Sequence, residues 1–358
     1  MQKMADAFLM DSHKLYWHLD RVHDWLQGKR IAPLYLDMGI TQTCNVQCSY
    51  CYYAVPENRT NAIIETPALI SFLKEAAEIG VKAIGFLGDG EPMIHPGVYD
   101  AVAAGKAFGL DMALATNGVL MKEERLEELL ASLTWIRFNI SAGTSSTYAN
   151  VMGVDEKVFY RVLENIRKCV EIKRVLNLPV VIGIQMVLIP ECFEDIIAFA
   201  TMGLELGVDY AVVKQCAERD DNGQAPSAED YESNKHLLEE AESLSTVCYN
   251  VIVKWRKISN DGVKHYDHCY GCEFLPQISG IGDVYCCGAW FGNPDYLIGN
   301  INRDSFKEIV SGNRYAEVMQ RVKNVVDVHR DCGTNCRQNE INEFLWKLKH
   351  PPEHVNFI

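Results

Sequence analysis

Short apolar runs alternate with amphipathic stretches along most of this 358-residue chain. From Pro33 onward, six runs have the pattern of strands, and the stretches between them place apolar residues at helical spacing. The predicted strands are 34–40, 82–87, 110–115, 135–141, 180–188 and 208–214, and the predicted helices lie at about 67–79, 97–108, 121–131, 155–175 and 192–206. Strands that alternate with helices predict a parallel sheet covered by helices. This pattern leaves two α/β architectures open, a partly closed barrel and an open doubly wound sheet.

The pattern changes on both sides of this region. Residues 3–28 carry an apolar stripe typical of a helix, and a predicted helix at 227–244 and a strand-like run at 249–258 follow the sixth strand. Beyond residue 262 the chain is rich in cysteine, with a predicted hairpin (274–279 and 283–288) and short helices at about 304–323 and 337–348. We therefore expect three parts, an N-terminal helical extension (1–32), an α/β domain (33–262) and a small C-terminal subdomain (263–358).

Polar side chains on one face of the predicted strands indicate a candidate site. In the run 135–141, every second residue is apolar and should pack against helices, so Arg137, Asn139 and Ser141 should point to the interior. Ligands of α/β folds bind at the C-terminal ends of the strands. The polar residues expected at those ends are Asn117, Asn139, Ser141, Gln185 and Lys214. The alternative is that these side chains only satisfy one another's hydrogen bonds.

Composition and charge exclude some classes of partner. The formal net charge of −14 argues against nucleic acid as the main ligand. No apolar run approaches the roughly 18 residues that span a membrane, and Met1–Met10 lacks the layout of a signal peptide. We therefore expect a cytoplasmic protein without a membrane partner. Because that compartment keeps thiols reduced, the 13 cysteines are unlikely to form disulfides and their clustering indicates metal ligands.

Three cysteines follow the first predicted strand at close spacing. They are Cys44, Cys48 and Cys51, with three and two residues between them. Three thiolates are one short of a closed zinc site or of a self-sufficient [4Fe–4S] cluster. Spacing leaves two interpretations open. One is a zinc site whose fourth ligand lies elsewhere, and the other is a cluster with one open iron.

The context of these cysteines resembles the radical S-adenosylmethionine (radical SAM) superfamily. Tyr50 precedes the third cysteine, and the second predicted strand is followed by Gly88-Asp89-Gly90-Glu91-Pro92, which is similar to the Gly-Gly-Glu-Pro element of that superfamily. The resemblance implies a partial (β/α)6 TIM-like barrel and a [4Fe–4S] cluster on the three cysteines, whose open iron binds S-adenosylmethionine (AdoMet). The residues that it assigns to AdoMet are Tyr50, Gly88, Gly90, Glu91, Asn117, Asn139 and Ser141. Two departures are Asp89 in place of a glycine and Met152 where many relatives carry arginine.

A second group of cysteines lies in the C-terminal subdomain. Cys269 and Cys272 form one pair, Cys332 and Cys336 another, and Cys287 ends the predicted hairpin. A structural zinc ribbon is one interpretation. The segment also resembles the SPASM/twitch extension of radical SAM enzymes, which implies an auxiliary [4Fe–4S] cluster held by four of these five cysteines. The internal Cys-X2-Cys-X5-Cys run of the two-cluster form is missing, so we expect one auxiliary cluster. Cys286 stands at the usual proline position and is the least expected ligand.

The resemblance implies reductive cleavage of AdoMet to a 5′-deoxyadenosyl radical, which removes a hydrogen from the substrate, with electrons from a donor such as flavodoxin or ferredoxin. The favoured substrate is a small polar molecule, such as a sugar, an aminocyclitol or a nucleoside, which would be oxidised or epimerised. Only 43 residues precede Cys44, too few for a separate peptide-recognition domain. The alternatives are a peptide or protein maturase with a leader-peptide partner, and a metal-binding or electron-transfer protein without catalysis. Candidate catalytic residues at the ends of the fifth and sixth strands are Gln185, Cys192, Lys214 and Cys216. The two cysteines could donate a hydrogen atom or simply pack.

Overall fold

Seven parallel strands form the main sheet of the protein. The structure is a computed structural model that describes residues 13–51, 53, 61–216, 225–259, 263–333 and 336–357. The strands are β1 (Tyr35–Met38), β2 (Ala83–Phe86), β3 (Asp111–Thr116), β4 (Trp135–Asn139), β5 (Val181–Leu188), β6 (Tyr210–Gln215) and β7 (Asn250–Val253). The first six lie within two residues of the bounds that the hydrophobic pattern predicts.

One helix precedes the sheet, and the others follow its strands and pack on its outer face. They are α1 (Leu19–Leu26), α2 (Thr66–Ile79), α3 (Val98–Ala107), α4 (Leu126–Ser132), α5 (Ser145–Met152), α6 (Lys157–Val175), α7 (Ile196–Leu206), α8 (Ala228–Ser233), α9 (Lys235–Ser243) and α10 (Trp255–Ser259). The prediction missed α5. It also placed a strand over residues 249–258, whereas β7 ends at Val253 and α10 begins at Trp255. In the described part of the chain, no helix is long and apolar enough to cross a membrane.

The strand order decides between the two architectures that the sequence left open. The seven strands lie side by side in chain order, from β1 to β7, and each pairs in parallel with the next. A doubly wound sheet would reverse this order at a switch point. An unreversed order with helices on one side is the arrangement of a (β/α) barrel. The fold is therefore a partial barrel, as the resemblance implied, with one strand more than the six predicted.

The C-terminal subdomain continues the same sheet. Strand β8 (Gln277–Ile278) pairs in parallel with β1, and β9 (Asp283–Tyr285) and β10 (Leu297–Asn300) follow as antiparallel strands. The predicted hairpin is thus confirmed, and β10 is an addition to it. Helices α11 (Phe306–Ser311), α12 (Asn313–Val325) and α13 (Asn339–Lys349) complete this part. Because the hairpin extends the edge of β1, it places the cysteine-rich segment beside the first strand of the barrel.

The N-terminal helix packs against the end of the chain. Val22 and Trp25 of α1 share an apolar cluster with Tyr270, Phe274 and Leu345. The indole N–H of Trp25 also donates to the Glu273 carboxylate at 2.9 Å. Residues 3–12 of the predicted N-terminal helix lie outside the described residues. This contact ties the start of the chain to the C-terminal subdomain.

A buried ion pair connects the barrel with the C-terminal subdomain. Asp37 of β1 is 4% exposed and contacts the guanidinium of Arg337, which follows Cys336. The same carboxylate accepts hydrogen bonds from the Tyr35 hydroxyl and from the Gln277 side chain. The guanidinium in turn donates to the Tyr35 hydroxyl at 3.1 Å. The loss of either charge would therefore leave the other enclosed without its partner.

We expect Arg337→Met to destabilise the protein by about 3 kcal/mol, because it leaves the Asp37 carboxylate buried without a counterion. Urea unfolding followed by circular dichroism measures the loss. Arg125→Met is a matched control, since Arg125 is about as exposed as Arg337 but its partners Asp100 and Glu128 are 57% and 45% exposed. That change should cost less than about 1 kcal/mol. Equal losses in the two variants would contradict the role given to burial.

Candidate active site

A cavity of about 380 Å³ lies at the carboxyl ends of the barrel strands. It is bounded by the loop after β1, the loop after β2, the ends of β3 to β6, and residues of the C-terminal subdomain. Most residues that the sequence assigned to a site line it: Cys44, Cys48, Tyr50, Cys51, Gly88, Gly90, Glu91, Asn117, Asn139, Gln185 and Lys214. The structure thus brings together side chains that are up to 170 positions apart in the chain.

The loop that carries the three cysteines is held by the end of α5. The backbone N–H groups of Gln47 and Ser49 donate to the carbonyl oxygens of Met152 and Val151, both at 2.9 Å. The sulfur of Met152 lies 3.6 Å from the Cys48 sulfur and 3.7 Å from the Tyr50 hydroxyl. The methionine that replaces the family's arginine is therefore packed against the cysteine loop. Burial and the neighbouring thiols raise the pKa of Cys48.

Glu91 joins the loop after β2 to the end of β3. One carboxylate oxygen accepts from the Met93 N–H at 3.0 Å and from the Thr116 hydroxyl at 2.5 Å, and the other accepts from the Asn117 N–H at 2.7 Å. The side chain is 3% exposed, and its burial raises the pKa of the carboxyl group, while these three donors act in the opposite direction. Glu91 lines the cavity with most of its hydrogen-bonding capacity already used within the protein.

Asn117 connects β3 to the cysteine loop. Its side-chain amide donates to the side-chain oxygen of Asn45 at 2.8 Å, and its own oxygen accepts from the Val119 N–H at 3.1 Å. Asn45 stands next to Cys44 in the chain. Together with Glu91, this amide sets the position of the first cysteine relative to the strand ends.

Three backbone turns meet beside the cysteine loop with almost no side chains between them. A Cβ at Gly90, where φ is +77°, would lie 2.2 Å from the Thr41 carbonyl oxygen. A Cβ at Gly280, in the turn between β8 and β9, would lie 2.4 Å from that same oxygen. The Asp89 carboxylate accepts from the Gly280 N–H at 2.7 Å. We call this contact of residues 39–43, 88–91 and 279–282 the glycine junction. The aspartate that replaces a family glycine therefore binds the C-terminal subdomain to the barrel.

Side-chain alternation holds within the strands and fails just beyond them. Arg137, Asn139 and Gln185 face the cavity as predicted, and the Gln185 amide donates to Asn139 at 2.9 Å. Ser141, two residues past the end of β4, does not line the cavity and is fully buried at φ +52°. Its hydroxyl donates to the Tyr50 hydroxyl at 2.9 Å and accepts from the Val187 N–H at 3.0 Å. The expected contact between Ser141 and AdoMet is therefore not supported, and Ser141 positions Tyr50 instead.

The two thiols predicted as hydrogen-atom donors also lie outside the cavity wall. Cys192 and Cys216 are fully buried, and neither lines it. Strand β6 ends at Gln215, so the alternation that turns Lys214 inward does not extend to Cys216. The Cys192 thiol lies 3.0 Å from the Ser141 carbonyl oxygen, and burial raises its pKa to about 12. The prediction that these thiols stand at the rim of the site is wrong, and both pack in the core.

Basic side chains line the wall of the cavity across from Glu91. Those that the structure describes there are Arg137, Lys214, Lys254, Lys257 and Arg337. Burial, together with the positive charges of Arg137, Lys257 and Lys254, lowers the pKa of Lys214 to about 7. Among the described residues, the acidic side chains on the cavity wall are Asp89 and Glu91, which accept hydrogen bonds from backbone N–H groups. The sequence pattern indicated Lys214. It did not indicate Lys254 and Lys257, because both lie in the run 249–258 that was predicted as a strand.

The cysteines of the C-terminal subdomain form a second group. The side chains of Cys269 and Cys272 interact directly. Four more cysteines lie near enough for their charges to affect the pKa of this pair or of one another: Cys286, Cys287, Cys332 and Cys336. The Cys269 sulfur accepts from the Asn342 side chain at 3.4 Å. Hydrogen bonds from Cys272, Asn342 and nearby backbone N–H groups lower the pKa of Cys269 to about 7. The structure places Cys286 in this group as well, fully buried beside the five predicted ligands.

A second cavity, of about 530 Å³, lies at the opposite ends of the strands. Its wall includes Tyr35, Ala83, Asp111 and Val181, the first residues of four strands. It contains none of the cysteines. Because ligands of barrel folds bind at the carboxyl ends of the strands, the smaller cavity is the candidate active site.

Comparison with known proteins identifies the family. The model of the radical SAM superfamily matches residues 38–202, and that of SPASM, an iron–sulfur cluster-binding domain, matches residues 256–338. The chain belongs to the radical SAM superfamily. Its C-terminal part is a SPASM-type auxiliary-cluster domain, so the cofactors are a [4Fe–4S] cluster, AdoMet and an auxiliary iron–sulfur cluster.

Relatives of this radical SAM protein have diverse activities. It is 27% identical to the AdoMet-dependent heme synthase of Methanosarcina barkeri over 84% of this chain and 88% of that protein. It is 35% identical to the PqqA peptide cyclase of Gluconobacter oxydans over 27% of each chain. The fold is shared with SuiB of Streptococcus suis, solved with AdoMet (TM-score 0.64, 18% identity, 86% of this chain and 74% of that one). Other curated relatives are matched over 50 to 54% of their length.

The cysteines of this radical SAM protein fit these cofactors by their chemistry and location. A [4Fe–4S] cluster takes one thiolate for each of its four irons. Cys44, Cys48 and Cys51 supply three thiols on the cavity wall, which leaves the fourth iron for AdoMet. The C-terminal group offers a full set of four. Among the described residues, no three His, Cys, Asp or Glu side chains are placed to hold a single metal ion.

We expect Gly90→Ala to weaken AdoMet binding at least tenfold, because a Cβ at residue 90 would push the loop after β2 away from Thr41. Equilibrium dialysis of the reconstituted protein measures the dissociation constant. Gly109→Ala is a matched control, since Gly109 also has positive φ (+86°) but a Cβ there would meet nothing within 4 Å. The control isolates the cost of the left-handed backbone, about 1–2 kcal/mol of folding free energy. Equal AdoMet affinities for the two variants would contradict the close approach at the glycine junction.

Anaerobic reconstitution should load about eight irons per chain, and the triple variant Cys44→Ala/Cys48→Ala/Cys51→Ala should retain about four. The remaining irons belong to the auxiliary cluster. Cys248→Ala is the control, because Cys248 is exposed and belongs to neither group, so it should leave the count unchanged. Iron and zinc are counted together by elemental analysis. Loss of all iron in the triple variant, with zinc retained, would contradict an auxiliary iron–sulfur cluster.

Proposed function

We propose that this radical SAM enzyme is a maturase that oxidises a residue of a peptide or small protein. Two similarities support a peptide substrate. A curated relative is a peptide cyclase, and SuiB, which shares the fold over both the barrel and the SPASM domain, has also been solved with its precursor peptide SuiA. The first prediction, a small carbohydrate-like or nucleoside-like substrate, has less support than this alternative.

The location of Arg337 is the observation from the structure that carries the proposal. Arg337 belongs to the SPASM-type domain and yet lines the barrel cavity, where it contacts Asp37 of β1. The cavity is therefore bounded by both cofactor-bearing parts of the chain. A substrate in it would lie between the cysteine loop and the auxiliary domain, the arrangement that oxidation needs. Epimerisation by a thiol at the rim is disfavoured because Cys192 and Cys216 are buried in the core.

The residues of this chain position the reactants, and the cofactor supplies the radical chemistry. The cluster on the three-cysteine loop, once bound and reduced, supplies the electron that cleaves AdoMet to the radical that removes a substrate hydrogen. Met152 packs against Cys48 and Tyr50 and holds this part of the cysteine loop in place. Glu91 and Asn117 hold that loop against the strand ends. The Asn139–Gln185 pair provides a polar wall beside it.

A second candidate is a reaction of heme biosynthesis. The heme synthase of Methanosarcina barkeri is matched over 84% of this chain, a far longer match than that of the peptide cyclase. The two candidates differ in substrate and share the cofactors. A carboxylated tetrapyrrole therefore belongs in the same assay as the peptides.

The reconstituted enzyme, AdoMet and dithionite should produce 5′-deoxyadenosine together with a peptide that has lost a hydrogen pair. The peptides to use are those encoded by short reading frames beside the gene, and mass spectrometry detects the change. The triple cysteine variant is the control and should form neither product. A carboxylated tetrapyrrole precursor of heme, assayed in parallel for heme formation, tests the second candidate. Consumption of the tetrapyrrole with unchanged peptides would replace the maturase by a heme-forming enzyme, and the absence of 5′-deoxyadenosine would exclude both.

A further inference from the structure

We propose that the substrate brings a carboxylate into the cavity and that Lys214 binds it. This inference rests on the proposed function, which makes the substrate a peptide, and adds that the segment entering the cavity is acidic. It specifies the chemistry of the site on the side away from the cysteine loop.

The position of Lys214 is the first part of the argument. It stands at the carboxyl end of β6, paired with Val187 of β5, and lines the cavity. Among the described residues, the charged groups that act on its ammonium are Arg137 from β4, Lys254 and Lys257 beside and within α10, and the thiol of Cys216. None of these is a carboxylate. A lysine surrounded in this way is less stable in its charged form, and an anion beside it would restore that form.

The charge of the whole cavity wall is the second part. The protein as a whole is acidic, with a formal charge of −14, but basic side chains predominate in this cavity. Arg337 has Asp37 as its counterion, and the two acids of the wall, Asp89 and Glu91, are engaged by donors from the glycine junction and β3. The other basic residues that the structure describes on this wall lie on β4, on β6, and beside or within α10. A concave wall of one sign attracts ligands of the opposite sign.

AdoMet also has a carboxylate, and the experiment has to separate it from that of the substrate. This chain has Met152 where the resemblance places the arginine of many relatives. The alternative is therefore that Lys214 binds the carboxylate of AdoMet in place of that arginine. The distinction is that loss of Lys214 should weaken peptide binding if the carboxylate belongs to the substrate, and AdoMet binding if it belongs to AdoMet.

The test uses the reconstituted full-length protein, saturated with AdoMet, and two pools of pentapeptides. The pools share random flanking positions and capped ends and differ only in a central Glu or Gln, so the central side chain is their one systematic difference. Equilibrium dialysis with detection by mass spectrometry measures retention. The wild type should retain the Glu pool about tenfold better than the Gln pool. Lys214→Met should abolish this preference, and Lys214→Arg should keep most of it.

Two further measurements complete the design. Lys74→Met removes a charge from the exposed face of α2 and should leave the preference unchanged, which excludes an effect of net charge. The preference should also be greatest below pH 7 and weaken as the pH rises past it. The reason is that the pKa of free Lys214 is about 7, and only the protonated amine binds a carboxylate.

Several results would overturn the inference. Equal retention of the two pools by the wild type would show that no acid is recognised, while peptide binding itself, and so the maturase, would stand. Loss of AdoMet affinity in Lys214→Met with an intact Glu preference would assign Lys214 to the carboxylate of AdoMet.

If neither pool binds, glutarate serves as a free carboxylate probe. Binding of glutarate to the wild type and not to Lys214→Met would support the acid site and contradict the maturase, and no binding of either probe would overturn the inference itself.

Discussion

The active site depends on the close approach of three backbone turns. Thr41 of the loop after β1 is in contact with the turn at Gly90 and with the turn at Gly280, and a Cβ at either glycine would collide with its carbonyl oxygen. Backbone in direct contact cannot shift as a side chain can, so the cysteine loop, the loop after β2 and the C-terminal hairpin have one relative position. Asp89 adds a hydrogen bond to the same contact. The position of the cysteine loop is thus set by backbone packing.

The hydrogen-bond network around this junction has a second consequence. Glu91 and Asn117 use their polar atoms to connect neighbouring loops, and Ser141 uses its hydroxyl to hold Tyr50. The resemblance assigns Glu91, Asn117 and Ser141 to AdoMet, and in the structure these residues also hold the loops that form the predicted AdoMet site. Buried polar groups of this kind require partners in the absence of ligand, and the protein supplies them. The basic residues of the cavity wall, on β4, on β6, and beside or within α10, lie outside this network.

Sequence periodicity was a reliable guide only within the strands. Arg137 and Asn139 lie inside β4 and face the cavity as the alternation predicted, and Lys214, inside β6, faces it too. Ser141 and Cys216 lie just past the ends of the same strands, and both are buried away from it. The alternation of faces is a property of extended backbone, and it is lost where the chain turns. The positive φ of Ser141 marks such a turn.

The sequence by itself determined the strands and helices of the barrel, the two groups of cysteines and the family, because these are local in the chain. The hydrophobic period specifies most of the elements, and the resemblance carried by Cys44, Cys48, Cys51 and the motif after β2 implies a cluster with one open position. Only the tertiary structure decided the unreversed strand order, the pairing of β8 with β1, the contact of Arg337 with the barrel cavity, and the basic wall around Lys214. These features join residues that are tens to hundreds of positions apart, and their charges and contacts exist only after the chain has folded. The cofactors could therefore be inferred before folding was considered, while the chemistry of the substrate side could not.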